Sequence, residues 1–99
     1  MQTIRIIAGF AKIEYTEDMP KVFEINGYKF FFFSNEGIPL EQCHIHVRKK
    51  SALAKFWITD KAELSDTYGF SSSELSFLER TINANIQKIR EAWNAFFIG

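Results

Sequence analysis

The sequence lacks the features that mark several large classes of protein. One cysteine among 99 residues excludes an internal disulfide, which is usual for a protein of the reducing cytoplasm. Twelve basic and twelve acidic residues cancel, so the chain has none of the excess positive charge of a dedicated nucleic-acid-binding protein. No apolar run approaches the ~18 residues of a membrane span, and Met1 to Phe10 does not have the pattern of a signal peptide. We therefore expect a cytoplasmic protein without membrane attachment.

The motifs of conventional enzymes are also missing. There is no glycine-rich phosphate loop, no nucleophile elbow and no zinc-finger spacing. The sequence therefore predicts no cofactor and leaves open whether the protein is an enzyme.

What the chain has in quantity is apolar surface for a core. Its apolar content is 46%, and 11 of its residues are phenylalanine. Such a composition excludes disorder and, at this length, predicts one folded domain. We place this α+β domain at residues 19–99 and expect residues 1–18 to be an N-terminal β extension.

Strand-forming segments occupy the first two thirds of the domain. Asn26-Gly27 is the strongest hairpin signal, because a type I′ turn needs a positive φ at both central positions. Around it and after it, β-rich segments separated by turn residues predict an antiparallel sheet of five to seven strands. The predicted strands of the domain are Val22–Ile25, Tyr28–Phe33, His44–Arg48, Leu53–Ile58 and Ala62–Tyr68.

The strand Tyr28–Phe33 carries aromatic side chains on both faces. Tyr28, Phe30 and Phe32 alternate with Lys29, Phe31 and Phe33. A strand of this kind is expected in the middle of a sheet with both faces covered. Since one helix cannot cover both faces, either the N-terminal strands or a second subunit is expected to cover the other one.

The last third of the chain predicts one long C-terminal helix. Ser71 and Glu74 have the spacing of a capping box at its start. Apolar residues then recur every three or four positions over about seven turns, which gives one stripe for packing on the sheet. Phe97 is also expected in the core rather than at a docking site, but it lies off this stripe and could help to cover a partner. The members of the stripe, which include the expected core residues Trp93 and Phe96, are Leu75, Leu78, Ile82, Ile86, Ile89, Trp93 and Phe96.

The hairpin of His44–Arg48 with Leu53–Ile58 gathers the candidate site residues on one face. An even-length loop sets Arg48 opposite Leu53, and this register places His46 across from Lys55 and His44 across from Trp57. Cys43 then points to the other face and is left out of the site.

This face admits three interpretations. Two histidines at i and i+2 can supply part of a zinc site or an acid–base pair, so His44 and His46 are the candidate catalytic residues. The neighbouring cations Arg48 and Lys55 oppose a metal ion, and we predict none. With Trp57 as a stacking platform, the same cations fit an RNA phosphate chain, although an ordinary solvated hairpin explains them slightly better.

Several short motifs, in order, resemble a bacterial family catalogued as domain of unknown function 4160. They are Met19-Pro20, Gly27-Tyr28, Phe30 to Phe33, Ser34-Asn35-Glu36-Gly37, His44-Ile45-His46-Val47, Ala54-Lys55-Phe56-Trp57, Gly69-Phe70-Ser71, Glu74-Leu75 and Trp93-Asn94. The resemblance covers about four fifths of the chain. Glu41 keeps the carboxylate that family members carry before the first histidine, and Gln42 and Cys43 replace their prolines.

The resemblance implies a small cytoplasmic protein in a toxin–antitoxin-like pair, often encoded beside the family catalogued as domain of unknown function 2442. Two functions follow as expectations. In the first, the chain is an interaction protein that binds itself or a small partner encoded nearby through its aromatic sheet face or an edge strand. In the second, it binds or cleaves RNA through His44, His46, Arg48 and Lys55, with Trp57 and Glu41 as further binding residues.

Overall fold

The fold consists of a sheet followed by a helical segment. The computed structural model describes residues 19–34 and 39–98; the predicted β extension 1–18, residues 35–38 and Gly99 lie outside the described residues. Five antiparallel strands form one sheet whose spatial order follows the sequence. The predicted α+β class is confirmed. The elements are β1 (Lys21–Ile25), β2 (Tyr28–Phe31), β3 (His44–Lys49), β4 (Ala52–Ile58), β5 (Ala62–Tyr68), α1 (Ser72–Ala84), α2 (Ile86–Trp93) and a C-terminal π-helical turn (Asn94–Ile98).

The first hairpin has the turn that its sequence predicts. Asn26 has a φ of 52° and Gly27 a φ of 84°, the left-handed conformations that a type I′ turn requires. The turn sets Ile25 opposite Tyr28 and so fixes the faces of β2. The aromatic side chains predicted for one face of β2, Tyr28 and Phe30, do lie in the core below the helices.

The predicted register of β3 with β4 is confirmed. Arg48 lies opposite Leu53, His46 opposite Lys55 and His44 opposite Trp57. The intervening residues, Ile45 and Val47 among them, are fully buried in the core. Because a shift of one residue would turn this apolar set toward solvent, burial of the set holds the register.

The core lies between one face of the sheet and the helices. Complete burial of an aliphatic or aromatic side chain stabilises the fold by about 1.5–3 kcal/mol, so this layer supplies most of the stability. Its fully or almost fully buried members are Phe30, Phe32, Ile45, Val47, Ala54, Phe56, Ile58, Ala62, Leu78, Ile82, Ile89 and Trp93.

The helical segment begins as predicted and is interrupted once. The Ser71 hydroxyl accepts from the Glu74 N–H at 3.1 Å, and the Glu74 carboxylate accepts from the Ser71 N–H at 2.9 Å, which confirms the capping box. At Asn85 the side-chain amide donates to the Thr81 carbonyl, while the backbone N–H donates to Ile82. The side chain thus takes the carbonyl that a continuous helix would use, and the predicted single helix is divided into α1 and α2.

At the C-terminus the prediction that Phe96 belongs to the core is wrong. The chain forms a π-helical turn after Trp93, and Phe96 is 45% exposed. A π-helical turn is wider than an α-helical one, so the fourth residue after Trp93, and not the third, packs against the Trp93 ring. Phe97 therefore packs on Trp93 with ring centroids 4.3 Å apart and on Phe32 at 5.7 Å.

Candidate functional site

The sheet face turned away from the helices, hereafter the second face, carries the predicted site residues. The register of β3 and β4 places five of them there together: His44, His46, Arg48, Lys55 and Trp57. The sixth, Glu41, precedes β3, and its Oε1 lies 4.0 Å from His44 Nε2.

His44 contacts the helical segment although it belongs to the second face, and it is fully buried among aromatic rings that include Trp93 of α2. Its centroid lies 5.4 Å from that of Trp57 and 5.2 Å from that of Trp93. Nδ1 is 2.8 Å from the Gln42 carbonyl oxygen, which only accepts, so Nδ1 is the protonated nitrogen that donates. Burial and this hydrogen bond give His44 the environment of a packing residue that orders the start of β3.

His46 is half-buried and closer to solvent. Its ring stacks on Phe31 at 5.6 Å, meets Phe33 edge-on at 4.7 Å and lies 5.0 Å from the His44 ring. The predicted proximity of the two imidazoles is therefore present, and His46 lines an open groove.

The two predicted cations differ in what they contact. The Lys55 ammonium lies 4.3 Å from the centroid of the Trp57 ring, a cation–π contact that occupies one face of this predicted stacking platform. Arg48 is half-buried in the row formed with Lys29 and Leu53. A nucleic acid on that face of Trp57 would have to displace Lys55 first.

A bulge in β5 brings two further residues, Asp66 and Tyr68, to the second face. Next to the turn, Ile58 pairs with Ala62 and Phe56 with Leu64. Beyond Ser65, which has no partner in β4, the pairing shifts so that Lys55 faces Asp66 and Leu53 faces Tyr68.

Sequence reasoning missed both residues. If β4 and β5 paired regularly from their connecting turn, Asp66 and Tyr68 would face the helices. Because β5 is mostly polar, it has no apolar pattern that would indicate a shift in this register. The sequence offered one weak indication. Glu63, Asp66 and Tyr68 can share one face of β5 only if the strand contains a one-residue bulge between Glu63 and Asp66.

A groove of about 240 Å³ on the second face, hereafter the sheet groove, crosses β3, β4 and β5. It combines rings, a cation and a carboxylate. Tyr68 at its mouth is 72% exposed, while Asp66 Oδ1 accepts from the Thr67 N–H at 2.9 Å. The lining includes Phe33, His46, Leu53, Lys55, Asp66 and Tyr68.

A second groove, hereafter the helix groove, lies between β1 and the end of the helical segment. Its volume is about 390 Å³, and its walls are mostly apolar. Ile98, in the same π-helical turn as Phe96, is 63% exposed. The lining includes Val22, Phe32, Ala92, Ala95 and Phe96, with Lys21 and Lys88 as its charged members.

Cys43 lies apart from these sites, as predicted, since it packs against the core cluster. Burial raises the pKa of its thiol to about 11, although Arg90 lowers it, so the thiolate is scarce at neutral pH. Within residues 19–34 and 39–98, no three His, Cys, Asp or Glu side chains are grouped so as to hold a metal ion. In the same ranges, no helix has the length and apolar character needed to cross a membrane.

Comparison with known proteins gives one match. No curated protein and no solved structure is similar to the chain. A family model described as a domain of unknown function, DUF4160, matches residues 27–94. The match omits Met19 and Pro20, with which the resemblance was expected to begin, and includes both histidines and the capping box. The chain therefore belongs to the DUF4160 family.

Proposed function

We propose that this protein is a cytoplasmic interaction protein, one component of a bacterial toxin–antitoxin-like pair, and that it binds its partner through the helix groove. The observation that carries the proposal is the exposure of Phe96 and Ile98 beside an apolar depression. Large apolar side chains grouped at a surface mark interaction sites, and aromatic residues are enriched in the centres of interfaces.

The groove has the form of an anchor site. Phe32 is fully buried at its floor, whereas Phe96 stands at its edge. Lys21 and Lys88 add charge at the rim, where it influences the rate and specificity of association more than affinity. An apolar side chain of the partner would fill the space next to Phe96.

The environment of His44 supports binding over catalysis. A general base must reach a substrate proton, but His44 is fully buried and donates to Gln42. His46 packs edge-on against Phe33 and stacks on Phe31. The two imidazoles thus contribute packing to the second face.

The test is co-expression with the small protein encoded beside the gene, followed by co-purification and by size-exclusion chromatography with light scattering. Phe96→Ser is expected to weaken the complex at least tenfold, because an interface aromatic contributes more than about 1.4 kcal/mol. The matched control is Leu64→Ser on β5, since Leu64 is 47% exposed and Phe96 45%. A wild-type monomer that ignores the neighbouring protein would contradict the proposal, and so would equal loss in both variants.

RNA binding through the second face is a second candidate, favoured by the sheet groove. His46 and Lys55 line it, and Arg48 projects from the same face. Cations beside aromatic rings are typical of single-strand binding. Lys55→Ala is expected to weaken binding of a short RNA and to reduce its salt dependence, whereas the control Lys61→Ala, in the β4–β5 turn, leaves both unchanged.

A ribonuclease activity of this face would require His46. RNA integrity and growth after expression are therefore compared for the wild type and His46→Ala. If RNA is degraded equally by both proteins, His46 has no part in cleavage. His44→Ala is a poor test, because it leaves a cavity between Trp57 and Trp93.

A further inference from the structure

We propose that the sheet groove binds a guanine base of single-stranded RNA, which Asp66 recognises through hydrogen bonds and Tyr68 holds by stacking. The inference rests on the second proposed function, RNA binding by the second face, and adds the base that is selected. It depends on β5, whose contribution to this face comes from the bulge at Ser65.

Asp66 is a carboxylate whose cross-strand neighbour Lys55 contacts another side chain. Lys55 lies directly across from it in the sheet, a position in which opposite charges ordinarily pair. Among the described residues the two form no ion pair, because the Lys55 ammonium lies over Trp57. One oxygen of Asp66 accepts from the Thr67 N–H, and since a carboxylate accepts about four hydrogen bonds, most of its capacity remains for a ligand.

Guanine presents the donors that such a carboxylate needs. Its Watson–Crick edge carries N1–H and the N2 amine side by side, which match the two oxygens of Asp66. Adenine, cytosine and uracil each have a donor at only one position on that edge. Recognition of unstacked bases through this edge is the usual means of reading single-stranded RNA.

Tyr68 is the stacking surface. It follows Asp66 by two residues, so both side chains project from the same face of β5, and it remains largely exposed. Aromatic rings of this kind stack with any base and hold it at the height of neighbouring polar groups. Leu53, opposite Tyr68, provides an apolar floor.

The cations of this face favour a nucleotide over the other planar donor, an arginine side chain of a peptide. A guanidinium would also fit between Asp66 and Tyr68, but it would bring positive charge toward Lys55 and Arg48. A guanine nucleotide instead brings a phosphate, which these two side chains attract. The mixed charge of the groove therefore fits a ligand with a donor edge and an anionic backbone.

The test is fluorescence anisotropy with labelled pentaribonucleotides at low ionic strength. The wild type is expected to bind UUGUU about tenfold more tightly than UUUUU, the discrimination of one good bidentate contact. UUIUU, whose inosine lacks the N2 amine, should bind with intermediate affinity. Asp66→Asn should abolish the preference and keep the affinity for UUUUU, while Tyr68→Ala weakens binding of every sequence. Glu79→Gln, an exposed carboxylate-to-amide change on α1, is the matched control and should behave as wild type.

The outcomes separate this inference from the function on which it rests. Binding of RNA without a guanine preference, or with a preference that survives in Asp66→Asn, overturns the inference and leaves RNA binding in place. Absence of binding to every oligonucleotide overturns both. Binding of an arginine-containing peptide that depends on Asp66, without RNA binding, also overturns the inference and assigns the groove to a protein ligand.

Discussion

Separate replacement of Phe97 and Phe96 by alanine tests which of the two side chains the π-helical turn packs against Trp93. Phe97 is half-buried, and its ring lies 4.3 Å from that of Trp93 and 5.7 Å from that of Phe32. Truncation of a fully buried phenylalanine costs about 3–5 kcal/mol, so we expect Phe97→Ala to lower the free energy of unfolding by about 2 kcal/mol. Phe96→Ala removes a ring that is nearly half exposed, and we expect it to lower the free energy of unfolding by less than about 1 kcal/mol.

The assay is urea unfolding followed by tryptophan fluorescence and by far-ultraviolet circular dichroism. Trp93 reports directly, since Phe97 packs against it. For a domain of this size, 2 kcal/mol corresponds to a fall in melting temperature of about 10 °C. In a regular α-helix both phenylalanines would lie near the ring of Trp93, and the two alanine variants would lose similar amounts of stability. A loss for Phe96→Ala equal to or larger than that for Phe97→Ala would therefore refute the π-helical assignment.

Three other regions give further predictions. Ser71→Ala removes the side-chain half of the capping box and should cost about 1 kcal/mol in urea unfolding. The Ser71 N–H lowers the pKa of the Glu74 carboxyl below its usual 4.5. The stability that this carboxylate contributes is therefore present above pH 4.5 and is lost as pH falls through the folded-state pKa. Glu74→Gln should flatten the dependence of the urea midpoint on pH between about pH 6 and pH 3. Gly69→Ala should destabilise by more than about 1 kcal/mol, because Gly69 has a φ of +86° and a new Cβ would lie 3.0 Å from Cβ of Ala52; an unchanged melting temperature would contradict this. Cys43 should react with iodoacetamide at pH 8 only after unfolding, which mass spectrometry can follow, whereas rapid native alkylation would refute its burial.

Local patterns were sufficient to predict the hairpins and the start of the helical segment. Asn26-Gly27 fixes its turn through backbone conformation, and the alternation around Ile45 and Val47 permits only one register with β4. Ser71 and Glu74 satisfy each other's backbone within one turn. In each case the interactions that determine the structure are between residues close in sequence, or they follow from the alternation of apolar side chains along a strand.

The features that were not predicted depend on competition between near-equal hydrogen-bonding patterns. Asn85 interrupts the helix because its side chain takes the Thr81 carbonyl, an outcome that helical periodicity does not contain. The extra residue at Ser65 lies in a strand that is polar on both faces, where nothing in the pattern penalises a shift. The register therefore predicted which face carries the histidines and the cations, but it did not predict that Asp66 and Tyr68 share this face.

The order of the elements along the chain has a consequence for synthesis on the ribosome. The five strands that the structure describes each pair with their sequence neighbours, so this sheet can assemble as residues 21–68 emerge. The helical side chains that cover Phe30 and Phe32 lie in residues 72–97, which are translated afterwards. During that interval the nascent sheet exposes its aromatic face to solvent, the condition under which chains aggregate or recruit chaperones. Slower translation of residues 72–97 should therefore lower the soluble yield of this protein, even though the finished fold is unchanged.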